Sequence, residues 1–147
     1  MANQVQPPLA LVTGATGFVG SHVVRELLSR GRRVRVLVRS SSNQTNISGL
    51  SVEKVFGDLC DKASIDRAIQ GCDEVYHIAA EYKFWTLDPQ SMYRSNILGT
   101  QHVMEAALAM GVKKVVYTST VGTIGLGALP TTTTATFAGF DEESPML

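Results

Sequence analysis

The sequence predicts an α/β fold, a parallel sheet covered by helices on both faces, and two observations support this prediction. The apolar run LALVT at residues 9–13 is followed directly by a glycine-rich turn and an amphipathic helical pattern. Short apolar runs and helical patterns then go on alternating as far as residue 118, which is the order that βαβ units produce. With right-handed crossovers, this alternation predicts a doubly wound sheet with the strand order 3-2-1-4-5.

Charge and hydropathy restrict the kinds of partner. Thirteen basic and thirteen acidic residues cancel, so no overall field attracts nucleic acid, and we expect a small-molecule substrate. The start MANQVQPP lacks the order of a signal peptide, and no apolar run approaches a membrane span, so we expect a cytoplasmic protein. The potential metal ligands are scattered, which predicts no metal site: Cys60, Cys72, His22, His77 and His102.

The first strand, turn and helix have the glycine spacing of a dinucleotide-binding site. Gly14 can adopt backbone angles closed to other residues, and Gly17 leaves room for a pyrophosphate. Gly20 lets the helix lie close to the sheet, and the N–H groups at the helix start would bind the anion. We therefore predict a Rossmann-type dinucleotide-binding domain. The alternative is a domain of this fold that has lost its ligand.

The second strand, at residues 33–38, ends in a polar segment without an acid. In this fold a carboxylate about 20 residues beyond the glycines binds the ribose of NAD, whereas an arginine accommodates the 2′-phosphate of NADP. Val38 stands where the acid would be, and Arg39 follows it. The sequence therefore favours NADP(H), with NAD(H) possible. The alternative for Arg39 is a solvent-exposed loop position.

The next elements are strands at residues 51–56 and 74–78 on either side of a helix at residues 62–70. Asp61 is available to cap this helix, which leaves Asp58 to accept from an adenine amino group. Two alanines follow the fourth strand. Their small side chains would let a cofactor approach closely, unless they only serve close packing.

A long helix is predicted at residues 90–110, with Asp88 as its cap and Pro89 at its first position. Tyr82 and Trp85 precede it, and they either wall a substrate pocket or pack the helix entrance. The inward face of the helix is predicted to carry Ile97, Met104, Ala107 and Leu108.

The fifth strand, at residues 113–118, ends in the first of three consecutive hydroxyl residues, Thr118, Ser119 and Thr120, which are suited to holding a carbonyl or alcohol. Beyond them the chain loses periodicity, as an active-site flap or an interrupted fold would. We therefore predict a flexible leader at residues 1–7, a dinucleotide-binding domain at 8–120 and an irregular C-terminal segment at 121–147.

Five stretches in order resemble the extended short-chain dehydrogenase/reductase family, which includes NAD-dependent epimerases and dehydratases. They are TGATGFVG (13–20), GDL (57–59), HIAA (77–80), NILGT (96–100) and YTSTVGT (117–123). The chain is further similar to dihydroflavonol-reductase-like proteins, including hopanoid-associated sugar epimerases, at VRVLVRS (34–40) and EYKFW (81–85). The resemblance implies the cofactor-binding part of an oxidoreductase or a sugar epimerase or dehydratase that acts on a carbonyl or alcohol.

The resemblance also implies roles for individual residues. Thr120 would position the substrate oxygen as a catalytic residue, and Asn96 would steady the long helix. The implied cofactor-binding residues run from the pyrophosphate through the 2′-phosphate and adenine to the nicotinamide: Gly14, Gly17, Phe18, Val19, Gly20, Arg39, Asp58, Leu59, Ala79, Ala80, Tyr82 and Thr118.

The family's Tyr-x-x-x-Lys pair, in which the tyrosine transfers a proton, has no counterpart in the sequence. The residues four positions beyond the tyrosines are Ala80, Thr86, Ile97 and Val121, and no lysine follows Lys114. The chain thus resembles the N-terminal portion of such an enzyme, with a sheet incomplete at its C-terminus and an unpaired edge that favours self-association. We expect it to be inactive alone. The alternative is a non-catalytic nucleotide-binding module or a regulatory fragment.

Overall fold

A computed structural model describes residues 6–82, 85, 88–120 and 123. Strands and helices alternate along this part of the chain, as the sequence predicts. In order they are β1 (Leu9–Thr13), α1 (Phe18–Ser29), β2 (Arg33–Val38), a 3₁₀ turn (Thr45–Ile47), β3 (Glu53–Phe56), α2 (Lys62–Ile69), β4 (Glu74–His77), α3 (Pro89–Tyr93), a π-helical turn (Arg94–Leu98), α4 (Gly99–Ala109) and β5 (Lys114–Tyr117).

The five strands form one parallel sheet in the order β3-β2-β1-β4-β5, which confirms the predicted order 3-2-1-4-5. All five residues of the central strand β1 are buried, because helices cover both faces of a parallel sheet. The carboxyl ends of the strands share one edge of the sheet. The glycine turn after β1 and the loops after β2, β3 and β4 therefore meet there.

Two apolar cores lie on opposite faces of the sheet, and this arrangement makes the fold doubly wound. On one face, Leu11 packs with Ile65 of α2 and Val103 of α4. On the other face, Val12 packs with Val24 of α1. The helix starts follow the sequence prediction, since Asp61 accepts from Ala63 N–H at 3.0 Å and Asp88 accepts from Gln90 N–H at 3.0 Å.

The predicted long helix is divided into three helical segments, and the prediction of its inward face is wrong for two of the four residues. Ile97 and Leu108 are 47% and 84% exposed, while the buried positions of α4 are Gly99, Val103, Ala106 and Ala107. The π-helical turn Arg94–Leu98 interrupts the predicted helix ahead of α4. It fits one more residue into a turn than an α-helix does, so a 3.6-residue pattern extended across it goes out of phase.

The chain divides into two units, the first ending at Tyr117 and the second beginning at Thr118. The predicted limits of the leader, domain and C-terminal segment stay predictions, because most of residues 1–7 and 121–147 lie outside the described residues. Within the described part, β5 is an outer strand of the sheet, and self-association through it also stays a prediction. No helix of the described residues is long and apolar enough to cross a membrane.

Candidate functional site

The glycine turn after β1 is too tight for side chains at two positions. Gly14 has a φ of +70°, and a Cβ added there would lie 2.7 Å from the backbone nitrogen of Ala79. A Cβ on Gly20 would overlap the Gly14 carbonyl. The turn is closed by Gly17 N–H, which donates to the Gly14 carbonyl at 3.0 Å. These contacts bring the turn directly against the segment that follows β4.

The start of helix α1 is open to a ligand. Gly17 occupies the N-cap position and has no side chain to accept from the first N–H groups of the helix. Phe18 and Val19 are 79% and 52% exposed, so they border this helix end without covering it. The Phe18 ring lies 4.7 Å from the ring of His22. The geometry suits an anion at the helix N-terminus.

The predicted acid position after β2 is held by an apolar side chain. Val38 is 2% exposed and belongs to the core, so it offers nothing to a ribose. Arg39 follows it and is exposed. Ser42 N–H donates to the Arg39 carbonyl at 3.0 Å and closes a turn there. Arg39 therefore lies in an exposed turn directly after the carboxyl end of β2.

Asp58 and Leu59 are attached to the helices beside them. Ser64 Oγ accepts from Asp58 N–H at 3.0 Å, and Asp58 Oδ1 accepts from Cys60 N–H at 2.9 Å. The Leu59 carbonyl lies 2.9 Å from His102 Nδ1, and a Cβ on Gly99 would lie 2.7 Å from the Leu59 Cβ. The Asp58 carboxylate holds this local turn through Cys60 N–H, and its contact with an adenine amino group stays a prediction.

A buried histidine links the loops after β1 and β4. His77 Nδ1 lies 2.7 Å from Thr13 Oγ1, and His77 Nε2 lies 3.0 Å from Thr100 Oγ1. Thr13 Oγ1 also accepts from Ala79 N–H at 3.2 Å. Burial lowers the pKa of His77 to about 4, so its ring is neutral. Sequence reasoning missed this network because it treated the histidines only as possible metal ligands, although His77 opens the HIAA stretch.

Asn96 holds the segment that carries the predicted nicotinamide-side residues. Its Oδ1 accepts from Glu81 N–H at 2.7 Å, and its Nδ2 donates to the Glu81 carbonyl at 2.7 Å. Ala80 and Tyr82 flank Glu81 in this segment, and Tyr82 and Trp85 are 76% and 78% exposed. Exposure this large argues against close packing of the helix entrance, and the role of the two aromatic side chains as a wall of the substrate pocket stays a prediction.

Thr118 and Thr120 follow β5 directly in the chain and belong to the second unit. Both are exposed. The Thr120 carbonyl accepts from Thr123 N–H at 3.0 Å and from Thr123 Oγ1 at 2.7 Å. Across the described residues, no three His, Cys, Asp or Glu side chains are grouped so that they could hold a metal ion.

Several known proteins are similar to this chain in sequence and in fold. A Synechocystis sp. protein with the provisional name dihydroflavonol 4-reductase is 45% identical over 115 residues, which cover 78% of this chain and 33% of that protein. The crystal structure of gox2253 matches with a TM-score of 0.80 and 42% identity, over 95% of this chain and 40% of its own. The Thermus thermophilus UDP-glucose 4-epimerase in complex with NAD matches with a TM-score of 0.71 and 35% identity, over 87% and 42%.

The chain spans 33% to 36% of the lengths of three curated relatives that it matches. A family model, by contrast, matches nearly the whole of this chain. The model described as the NAD dependent epimerase/dehydratase family matches residues 10–145, which include nearly all of β1 and the rest of the sheet. The protein therefore belongs to the NAD dependent epimerase/dehydratase family.

Proposed function

We propose that the chain is the dinucleotide-binding part of an oxidoreductase or of a sugar epimerase or dehydratase, and that it prefers NADP(H) to NAD(H). One observation carries the proposal. The open N-terminus of α1 and the exposed Arg39 lie at the same edge of the sheet, while Val38 in the acid position is buried. The family membership and the NAD complex of the Thermus epimerase support a nicotinamide dinucleotide. The preference for NADP(H) rests on Arg39.

The residues present fit such a cofactor. The space at Gly14 and Gly20 is closed to side chains, and the uncapped N–H groups of α1 would bind the pyrophosphate, bordered by Phe18 and Val19. Arg39 would bind the 2′-phosphate as a charge-assisted contact. When bound, the nicotinamide ring supplies hydride transfer. The remaining proposed contacts are Asp58 and Leu59 with the adenine, and Ala79, Ala80, Tyr82 and Thr118 with the ribose and nicotinamide.

On the substrate side, we propose that Thr120 holds the oxygen of a small carbonyl or alcohol substrate. The relative named dihydroflavonol 4-reductase and the UDP-glucose 4-epimerase indicate the two substrate classes to test. A positioned proton donor contributes about a hundred- to ten-thousandfold to such reactions. Because the 147 residues hold no Tyr-x-x-x-Lys pair, we propose that they bind the cofactor without turning over a substrate.

The same observation supports a second candidate function. A chain that binds a dinucleotide and has no proton-transfer pair would also serve as a non-catalytic binding module or a regulatory fragment. The two candidates differ in turnover and share the cofactor.

Titration of the protein with NADPH and with NADH, followed by calorimetry, tests the cofactor proposal. We expect NADPH to bind at least about fivefold more tightly, since one charge-assisted contact is worth roughly 1 to 3 kcal/mol. Equal affinities would overturn the preference. Absence of binding by both dinucleotides would overturn the dinucleotide site itself.

A further inference from the structure

One side chain attaches the polar segment after β2 to the glycine turn. Asn46 Nδ2 donates to the Thr16 carbonyl at 2.8 Å, and Thr16 stands between two glycines of that turn. Arg25 of α1 also binds the backbone of Asn46, since its Nη1 donates to the Asn46 carbonyl at 2.9 Å and to the Ser21 carbonyl at 3.2 Å. Asn46 is therefore bonded to the glycine turn and to the helix that the turn begins.

The segment from Arg39 to Ile47 is a series of short turns that ends at this attachment. Asn43 Oδ1 accepts from Thr45 N–H at 2.9 Å and from Thr45 Oγ1 at 2.6 Å. Ile47 is 1% exposed and packs into the core on the α1 face of the sheet. One end of the segment continues β2 and the other is held against α1, so the position of the Arg39 turn depends on both ends.

The spacing between the glycine turn and Arg39 matters for an adenosine 2′-phosphate. In NADP(H) the pyrophosphate is attached at the 5′ carbon and the 2′-phosphate at the 2′ carbon of the same adenosine ribose, so the two groups that bind them must lie within the span of one sugar. We propose that Asn46 is a positioning residue that holds the Arg39 turn at this distance and thereby contributes to the preference for NADP(H) over NAD(H). The inference rests on the proposed function.

Loss of the Asn46 bond should affect the two dinucleotides unequally. The glycine turn has bonds of its own, because Gly17 N–H donates to the Gly14 carbonyl at 3.0 Å and Ser21 N–H donates to the Gly17 carbonyl at 3.0 Å. The pyrophosphate contacts, which NADPH and NADH share, are thus kept without Asn46. The contact to the 2′-phosphate, which only NADPH makes, depends on where Arg39 lies.

The experiment measures the dissociation constants of NADPH and NADH by calorimetry for the full 147-residue chain and its variants. Asn46→Ala removes the side-chain bond, and Asn46→Leu keeps a side chain of similar size without a charge or a donor for the Thr16 carbonyl. Gln101→Ala is the matched control, since Gln101 also carries an exposed amide donor but donates to Glu105 within α4 at 2.7 Å, away from this segment. We expect the NADPH-over-NADH affinity ratio to fall roughly three- to tenfold in both Asn46 variants, and less than about twofold in the control.

A double-mutant cycle separates positioning from a general structural role. If Asn46 acts through Arg39, then Asn46→Ala in an Arg39→Ala background changes the NADPH dissociation constant by less than about twofold. An unchanged affinity ratio in both Asn46 variants would overturn the inference. The inference would also be overturned if Asn46→Ala weakened NADPH binding as much in the Arg39→Ala background as it does in the wild type. A wild-type protein that binds neither dinucleotide, or both equally, would overturn the proposed function and this inference with it.

Discussion

Thr13 and His77 are neighbours in register across β1 and β4, and Thr13 Oγ1 lies 2.7 Å from His77 Nδ1 at a point where both residues are 0% exposed. Each is the last residue of its strand. The hydrogen bond therefore joins the two loops of the proposed cofactor site at their roots, and Ala79 N–H, which also donates to Thr13 Oγ1, extends the connection into the second loop.

His77 makes stability depend on pH. Its pKa is about 4 when folded, against an ordinary value of 6.5, so between these pH values the unfolded chain binds the additional proton. The free energy of unfolding should therefore fall as pH falls from 6.5 to 4, by about 3 kcal/mol from this residue, and no further below that. Urea unfolding at about pH 7 and about pH 5 should show a larger loss in wild type than in His77→Gln.

The histidine ring itself provides the decisive check of this prediction. In wild type, the ring signals of His77 followed by NMR should not titrate above about pH 5. A midpoint near 6.5 would contradict a neutral ring in the core, as would equal pH dependence of unfolding in the wild type and the variant.

Alanine substitutions at two glycines with the same φ distinguish two causes of lost stability, the unfavourable backbone angle and the steric overlap of the added Cβ. Gly14 and Gly31 both have a φ of +70°, but a Cβ on Gly31 has nothing within 4 Å, while one on Gly14 would meet Ala79. Gly31→Ala should lower the free energy of unfolding by roughly 1 to 2 kcal/mol, and Gly14→Ala by at least about twice as much. Only Gly14→Ala should also abolish NADPH binding. Similar losses of stability in urea unfolding would show that the glycine turn can relax.

The pattern of residues predicts the fold well wherever structure is local or set by burial. The LALVT run, four apolar residues and a threonine, forms the central strand, and Asp61 and Asp88 cap helices where predicted. The π-helical turn was not predictable from spacing, because its Asn96 bonds to Glu81, 15 residues away in the chain. The pairing of Thr13 with His77 depends on the register between two strands, which neither stretch of sequence contains by itself.

The 147-residue chain should show no turnover with NADPH and a panel of ketones, flavanonols and nucleotide sugars. The hydroxyl of Thr120 has too high a pKa to serve alone as the proton donor. We do not expect Tyr117 to serve as the proton donor either, because its ring stacks on His77, with the ring centroids 5.5 Å apart, and is held against the sheet. A stopped assay over several hours tests this expectation. Steady turnover that Thr120→Val abolishes would reveal a proton donor within these residues and reject the non-catalytic account of the chain.

The preference for NADP(H) is the central claim, and Arg39→Ala tests it most directly. Arg33→Ala is the matched control, since Arg33 is also exposed but lies at the opposite end of β2, where it donates to Gln6 at 2.8 Å. By calorimetric titration, Arg39→Ala should raise the dissociation constant of NADPH roughly 5- to 150-fold, which corresponds to about 1 to 3 kcal/mol, and leave that of NADH within about twofold. Arg33→Ala should leave both within about twofold. Equal losses for NADPH and NADH in Arg39→Ala, or an unchanged NADPH affinity, would contradict the claim that Arg39 binds the 2′-phosphate.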